Sequence, residues 1–161
     1  MRQYVTFRVG QQLMGLEILL VREINQLLET TYVQHAPDFV VGLVNLRGQI
    51  VTIFDLARRL RLPSVGLGEE THNIILKSNS ELSPIRSRER REDLATGDDL
   101  VGLRVDGIGD VLDVDQTAIE PIPANSRAGN QEFLRGVVPL SGELLVLVDA
   151  GALLRKEQGS I

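Results

Sequence analysis

The sequence predicts an all-β protein assembled from two related units. Short runs of β-branched and aliphatic residues recur along its 161 residues, and turns containing glycine separate these runs. A segment of the first half returns in the second half, and signals for long helices are few. Many short strands joined by glycine turns are typical of a β sandwich or a β barrel.

The first predicted element is a hairpin near the amino terminus. Residues 4–9 alternate in polarity, with Phe7 at the centre of the apolar face. A turn at residues 10–12, Gly-Gln-Gln, leads into a second strand over residues 14–20. Further strands of the same character are predicted at residues 49–54, 73–77, 100–105, 111–114 and 143–148.

An internal repeat organises these strands into units. Residues 39–55 align with residues 133–149 without a gap, and Phe, two Gly, Leu and Asp coincide between the two copies. Each copy ends in an aspartate that can cap a short helix. A weaker similarity pairs residues 14–18 with residues 101–105. Because one unit of about 75 residues has little interior, we expect both units to bury their apolar faces against each other in a single domain, residues 1–161.

The second unit carries an insertion at residues 78–98. It mixes four arginines with five acidic residues and has almost no apolar residues. The pattern predicts an enlarged, charged hairpin tip that is solvated and mobile. An extra docking arm is the alternative interpretation, and the balance of charges does not favour a nucleic-acid patch.

Composition argues against several classes of function. The net charge of −5 opposes binding to a phosphate backbone, and the lack of cysteine excludes thiolate zinc sites and cysteine nucleophiles. Only His35 and His72 are present, without a metal-binding spacing, and no nucleophile elbow or phosphate loop occurs. No apolar stretch approaches the roughly 20 residues of a membrane span. We therefore expect a cytoplasmic protein that is not an enzyme and has no cofactor and no metal.

Positions where the two units diverge are candidates for function. Residues 45–48, Asn-Leu-Arg-Gly, form one turn, and residues 139–142, Pro-Leu-Ser-Gly, form its counterpart. Asn45 can satisfy the turn backbone with its side chain, which is a structural role. Arg47 stands where the sister unit has Ser141, and its guanidinium can make forked hydrogen bonds to a partner. A merely solubilising charge is an equally good explanation of Arg47 at this point.

The stretch Val21-Arg22-Glu23-Ile24 offers a similar choice. Regular strand alternation would place Val21 and Glu23 on one side, with Arg22 and Ile24 on the other. A valine beside a carboxylate can form a contact patch, whereas an edge strand protected by a charge is the competing interpretation.

These motifs resemble the CheW family of bacterial chemotaxis coupling proteins. The similarity is carried by residues 39–56, which contain the Asn-Leu-Arg-Gly turn, and by residues 21–24 and 101–112. It extends over about residues 3–154. The resemblance implies two SH3-like five-stranded β barrels that share a hydrophobic core, with short capping helices.

The resemblance also implies a scaffold that bridges two proteins and catalyses no reaction. The partners would be the cytoplasmic domain of a chemoreceptor and the regulatory domain of the histidine kinase CheA. The chain would be a monomer when isolated and would be recruited to membrane-associated receptor arrays without inserting into the membrane. Gly42 falls at a position associated with kinase docking. The receptor-binding positions carried over by the resemblance are Val21, Glu23, Asn45, Leu46 and Arg47.

One departure from the family pattern lies at Ala124-Asn125. Some family members have an acidic–aromatic pair there that makes a second kinase contact, and this chain lacks the pair. Two rival functions stay open. The chain could couple a non-flagellar chemosensory pathway, or it could be a barrel that binds a small molecule. The last rival requires polar side chains converging inside a cavity, whereas the inward faces of the predicted strands are almost purely aliphatic.

Overall fold

The part of the chain that the structure describes forms ten strands and three short α-helices. A computed structural model describes residues 1–63, 66–124 and 130–155. The first half contains β1 (Arg2–Val9), β2 (Gln12–Glu17), β3 (Val21–Gln26), β4 (Val40–Leu46), β5 (Gln49–Asp55) and α1 (Leu56–Arg59). The second half contains β6 (His72–Leu76), α2 (Asn79–Glu89), β7 (Val101–Val105), β8 (Gly107–Val114), β9 (Leu134–Leu140), β10 (Glu143–Val148) and α3 (Ala150–Leu154).

The strands form two five-stranded sheets, which are the two SH3-like barrels expected from the resemblance. Barrel A has the order β8-β1-β2-β10-β9, and barrel B has the order β3-β6-β7-β5-β4. Each half of the chain therefore places its first hairpin in the barrel built mainly by the other half. The two halves are intertwined for this reason, and neither half of the sequence completes a barrel alone.

The strand registers confirm the internal repeat. The only parallel pairs among the described strands are β2 with β10 and β5 with β7. Leu147 lies opposite Gly15 in barrel A, as Ile53 lies opposite Gly102 in barrel B. Both glycines have large aliphatic side chains where a Cβ would be, at 3.2 Å for Gly15 and 2.8 Å for Gly102. Each parallel pair thus depends on a glycine that makes room for its neighbours.

Three apolar clusters stabilise this arrangement. The largest draws buried residues from both barrels, such as Phe7 and Leu103, and forms the shared core. Two smaller clusters each belong to one barrel. Barrel A is filled around Leu145, and barrel B is filled around Val51, which occupies the same position in the repeat.

A buried arginine joins the two repeats. Arg59 in α1 is 4% exposed, and its guanidinium lies 4.4 Å from the ring centroids of both Phe39 and Phe133. The two phenylalanines occupy the same position in the repeat. Arg59 also donates to the carbonyls of Leu153 (2.9 Å) and Arg155 (3.1 Å) at the end of α3. This one side chain therefore connects the helices that end the two units.

Residues 78–98 differ from the prediction of a solvated hairpin tip. They contain the helix α2, which begins in a capping box between Ser78 and Glu81. Leu82 and Leu94 are buried, at 0% and 1% exposed, and both belong to the shared core. The prediction was wrong because it followed the many charged residues of the segment. Two leucines among them pack into the shared core and attach the segment to the body of the protein.

Two smaller boundaries also differ. The second strand ends at Glu17, and Ile18–Leu20 forms a 3₁₀ turn. Strand β8 begins at Gly107, four residues before the predicted start, because Gly107 and Ile108 also pair with β1, beyond a bulge.

An ion-pair network fixes the end of the insertion. Arg91 makes two hydrogen bonds to Glu17 of barrel A, at 2.7 and 2.9 Å. It also donates to Asp93 at 2.6 Å, and Arg135 lies 3.5 Å from the same carboxylate. The hydrogen bond from Arg91 is the main reason why the pKa of Asp93 falls to about 2 from its ordinary 3.8.

This lowered pKa predicts a pH-dependent contribution to stability. The contribution is present above the unfolded pKa of 3.8 and is lost as the pH falls towards 2. Because the Asp93 side chain is 42% exposed, we expect at most about 1 kcal/mol. The melting temperature of Asp93→Asn should lie slightly below that of the parent above pH 5 and converge with it near pH 2. A difference that is the same at all pH values would contradict this assignment.

Candidate functional site

The turn between β4 and β5 has an unusual backbone. Its two central residues, Arg47 and Gly48, have positive φ angles of 52° and 85°, the combination of a type I′ hairpin turn. The side chain of Asn45 accepts a hydrogen bond from the Gly48 N–H (2.9 Å), which confirms its predicted structural role. In the sister turn only Gly142 has a positive φ, 87°. The arginine therefore occupies a left-handed position that the repeat does not require.

The side chain of Arg47 forms an ion pair with Glu23 of β3. Its Nη2 donates to Glu23 Oε2, and Asn25 donates to the other carboxylate oxygen at 2.9 Å. The hydrogen bond from Asn25, helped by the guanidinium of Arg47, holds the pKa of Glu23 below its ordinary value. The pair is thus charged at neutral pH, and it lies on the surface, since the Arg47 side chain is 65% exposed.

A β-bulge at Arg22 changes the predicted faces of β3. Val21 lies opposite Leu76, whereas Glu23 lies opposite Ile75, the next residue of β6. Val21 therefore shares a face with Leu76, and Glu23 shares the other face with Ile75. The prediction that regular alternation places Val21 and Glu23 on one side was wrong, because the bulge inserts one residue into β3.

The bulged residue itself contacts two other elements. Arg22 donates to the side chain of Gln49 at 2.7 Å, next to the turn, and its Nε lies 3.4 Å from Glu81 of α2. No pattern in the sequence indicated this link between the insertion and the turn. Asn25 was also missed, although its spacing of two residues from Glu23 would have indicated a shared strand face.

Four of the five predicted receptor-binding residues come together at this turn. Asn45 and Arg47 are exposed, and Leu46 is half-buried against the interior of barrel B. Glu23 joins them through its ion pair. Val21 is separate, because its half-buried side chain packs against the shared core.

Gly42, the predicted kinase-docking position, is buried within this chain. A Cβ at Gly42 would overlap the carbonyl of Thr31, which lies antiparallel beside β4 and exchanges two 2.8 Å backbone hydrogen bonds with Leu43. The second copy of the repeat has an equivalent close approach. A Cβ at Gly136 would lie 2.8 Å from the carbonyl oxygen of Glu120. The small residue therefore serves a close approach inside the fold, and a kinase contact at Gly42 stays a prediction.

We expect Gly42→Ala to destabilise the fold strongly, because backbone rather than a flexible side chain fills the space. The loss should be about 2–3 kcal/mol, measured by urea denaturation. Gly68→Ala is the matched control, since a Cβ there meets no atom within 4 Å. A Gly42→Ala protein as stable as the control would contradict the proposed close approach.

Metal ligands and membrane helices are not found in the parts of the chain that the structure describes. No group of three or more histidine, aspartate or glutamate side chains could hold a metal ion there. None of the helices in those parts is long and apolar enough to cross a bilayer.

Comparison with known proteins identifies the family. The model of the CheW-like domain matches residues 3–158, which is almost the entire chain. The chain belongs to the CheW-like family. The family resemblance inferred from the turn and repeat motifs is thereby confirmed.

Several relatives of the CheW-like family support this assignment. The chain is 32% identical to the chemotaxis protein CheW of Rhizobium meliloti, over 98% of this chain and 90% of the relative. It is 31% identical to the chemotaxis protein CheW of Klebsiella aerogenes, over 98% of this chain and 84% of the relative. The protein FrzA of Myxococcus xanthus is 26% identical, over 96% of this chain and 86% of the relative.

A solved structure shares the CheW-like fold. The crystal structure of the scaffolding protein TtCheW from Thermoanaerobacter tengcongensis matches with a TM-score of 0.76 and 24% identity, covering 94% of this chain and 91% of that chain. The predicted all-β architecture of two SH3-like barrels is confirmed. The family's second kinase contact would fall at Ala124-Asn125, and Asn125 lies outside the described residues.

Proposed function

We propose that this chain is a non-enzymatic scaffold that couples the cytoplasmic domain of a chemoreceptor to the regulatory domain of the kinase CheA. Membership of the CheW-like family supports the proposal, together with relatives named as chemotaxis proteins and a structural relative described as a scaffolding protein. The chain acts in the cytoplasm as a monomer and joins membrane-associated receptor arrays through these partners. It binds no nucleic acid, in keeping with its net charge of −5.

The observation that carries the proposal is the exposed ion pair between Arg47 and Glu23. An exposed pair of this kind adds at most about 1 kcal/mol to stability. A non-glycine residue at positive φ costs about 1–2 kcal/mol, so the fold gains little from an arginine at this position. A residue that holds a strained backbone conformation without stabilising the fold is typical of a functional site.

Apolar residues next to the pair complete a contact surface. Ile50 lies directly opposite Asn45 on the outward face of the hairpin and is 57% exposed, whereas Leu46 lies on the other face, half-buried against the interior of barrel B. Aliphatic side chains bordered by a fixed charge pair suit the docking of a helical segment, because burial supplies affinity and the charges set the register. We assign the receptor to this turn surface, formed by Glu23, Asn45, Leu46, Arg47 and Ile50. Val21 contributes from the other face of β3, and the kinase docks on β4 around Gly42.

Replacing Arg47 tests the assignment. Arg47→Asn removes the guanidinium but keeps the turn, because Asn-Gly is a favoured type I′ sequence. We expect at least a tenfold loss in affinity for an isolated receptor cytoplasmic domain, the effect of removing about one charge-assisted hydrogen bond. Affinity for the kinase regulatory domain should change less than twofold, within about 0.4 kcal/mol. Calorimetric titration against each domain separately measures both values.

The matched control is Arg88→Asn on α2. Its side chain is 67% exposed, close to the value for Arg47, and the substitution changes the net charge equally. This control separates a specific contact from a general charge effect. Equal losses of receptor affinity in the two variants, or equal losses for both domains in Arg47→Asn, would contradict the assignment.

A further inference from the structure

Two side-chain contacts join β3 to the turn between β4 and β5, and they run in opposite directions. Arg47 of the turn donates to Glu23 of β3, whereas Arg22 of β3 donates to the side chain of Gln49 at 2.7 Å. Strands β3 and β4 are the two outer strands of barrel B, and the described strand pairings do not join them. The orientation of the turn relative to β3 therefore depends on these side chains.

Arg22 is itself held by α2. Its Nε lies 3.4 Å from Glu81 Oε2, and the Arg22 side chain is only 26% exposed. The other oxygen of Glu81, Oε1, accepts a hydrogen bond from the Ser78 N–H at 3.1 Å in the capping box. The next residue of α2, Leu82, is buried in the shared core. Both oxygens of the Glu81 carboxylate thus have a partner, and the helix that carries it is anchored.

The two halves of the ion pair between Arg47 and Glu23 are not equally well fixed. Asn25 donates to Glu23 Oε1 at 2.9 Å, and it lies opposite Asn73 of β6, which is 0% exposed. Glu23 is the only hydrogen-bond or ion-pair partner of the Arg47 side chain among the described residues. The position of the Arg47 guanidinium therefore depends on where the turn backbone lies.

Barrel A shows that the fold does not require an arginine at this bulge. The bulge of β3 recurs in β8, and the strand registers place Gly109 where β3 has Arg22. Barrel A also has the short turn at residues 10–12 where barrel B has the insertion that carries Glu81. A bulge and a barrel of this kind therefore form without either member of the contact.

Arg22 also gains little for stability. Its Nη1 is buried without a hydrogen-bond partner among the described residues. A buried donor that is left unpaired opposes the gain from the contacts with Gln49 and Glu81. The turn that Arg22 holds explains an arginine at this position better than the stability of the barrel does.

We propose that Arg22 is a positioning residue for receptor binding. It holds the turn between β4 and β5 in the orientation that presents Arg47 to the receptor, and α2 holds Arg22 through Glu81. A turn that is fixed before binding loses less conformational freedom when the receptor docks. The insertion thus strengthens receptor binding without contacting the receptor. This inference rests on the proposed function, because it concerns the same turn surface.

A double-mutant cycle tests whether Arg22 acts through Arg47. Arg22→Met removes both contacts and keeps an aliphatic side chain. We expect it to weaken binding of the isolated receptor cytoplasmic domain by about fivefold or more, which corresponds to about 1 kcal/mol. In an Arg47→Asn background it should change receptor affinity by less than about twofold, because a residue that acts through Arg47 has no effect without it. Calorimetric titration of the four proteins measures these values.

Arg135→Met on β9 of barrel A is the matched control. Arg135 is also a partly exposed arginine beside carboxylates, those of Asp93 and Asp149, and the change of charge is equal. Receptor affinity of this control should stay within about twofold of the parent. The kinase regulatory domain should bind Arg22→Met and the parent equally.

A second pair of variants tests the contribution of α2. Glu81→Gln keeps the capping box, because glutamine also serves at this position, but it removes the charge that faces Arg22. We expect about a twofold or larger loss of receptor affinity. Glu89→Gln, an equal change of charge at the other end of the helix, should bind like the parent. Equal affinities of these two variants would overturn the role of α2.

A measurement on the free chain separates this inference from the proposed function. The heteronuclear NOE of the Arg47 Nε–H reports how mobile its side chain is, and we expect it to fall in Arg22→Met but not in Arg135→Met. The inference is overturned if this NOE is unchanged, or if Arg22→Met binds the receptor like the parent. It is also overturned if the loss is the same in the Arg47→Asn background. A lowered NOE together with normal receptor binding of Arg47→Asn would instead contradict the proposed function.

Discussion

Replacing residues 78–98 by a three-residue turn lowers the melting temperature by about 10 °C or more. The change removes the buried side chains of Leu82 and Leu94 from the shared core, and each is expected to cost about 2–5 kcal/mol. In a chain of this size, each kcal/mol corresponds to about 2–4 °C. The hydrogen bonds from Arg91 to Glu17 are lost as well. Differential scanning calorimetry of the shortened protein measures the change.

Single substitutions separate packing of α2 from the effects of shortening the chain. Leu82→Ala should lower stability by about 2–5 kcal/mol, because its side chain is fully buried. Ser83→Ala, at an exposed position of the same helix, should change stability by less than about 0.5 kcal/mol. A shortened protein that melts with the parent would show that the segment does not contribute to the core.

Arg59→Met lowers the free energy of unfolding by about 3 kcal/mol or more. Methionine keeps much of the side-chain volume but removes the hydrogen bonds to the carbonyls of Leu153 and Arg155. Leaving a buried carbonyl unpaired costs about 1–3 kcal/mol, and a desolvated cation–π contact contributes about 2 kcal/mol. The guanidinium has two such contacts, with Phe39 and Phe133.

Arg58→Met is the matched control for this substitution. Arg58 is the preceding residue of α1, and its side chain is 56% exposed. We expect its replacement to change stability by less than about 1 kcal/mol. Urea denaturation of both variants provides the comparison, and equal losses would contradict the role of Arg59 as the link between the two repeats.

The parts of the fold that depend on the internal repeat and on local turn and capping signals were predictable from the sequence. The capping aspartates Asp55 and Asp149 both accept the expected backbone hydrogen bonds, at 3.4 and 3.1 Å. The exchange of hairpins between barrels was not predictable, because the parallel pairing of β2 with β10 joins strands more than 100 residues apart. Helix α2 did carry a signal, the spacing of Ser78 and Glu81, but the dense charges of the insertion favoured a solvated loop.

The candidate site was predictable where the two units differ. Comparing the two turns singled out Arg47, and the structure pairs this residue with Glu23, another predicted position. The bulge at Arg22 leaves no mark in composition or periodicity, so the position of Val21 was missed. The side chain of Asn73 is buried without a hydrogen-bond partner among the described residues. This depends on which polar groups several neighbouring strands supply, and a single sequence does not reveal them.

Bridging is the most direct test of the coupling function. A receptor cytoplasmic domain is immobilised, and retention of the kinase regulatory domain is measured with and without this chain. We expect retention of the kinase domain only when the chain is present, and loss of that retention with Arg47→Asn but not with Arg88→Asn. Retention that does not depend on the chain, or a chain that binds neither domain, would contradict the coupling function.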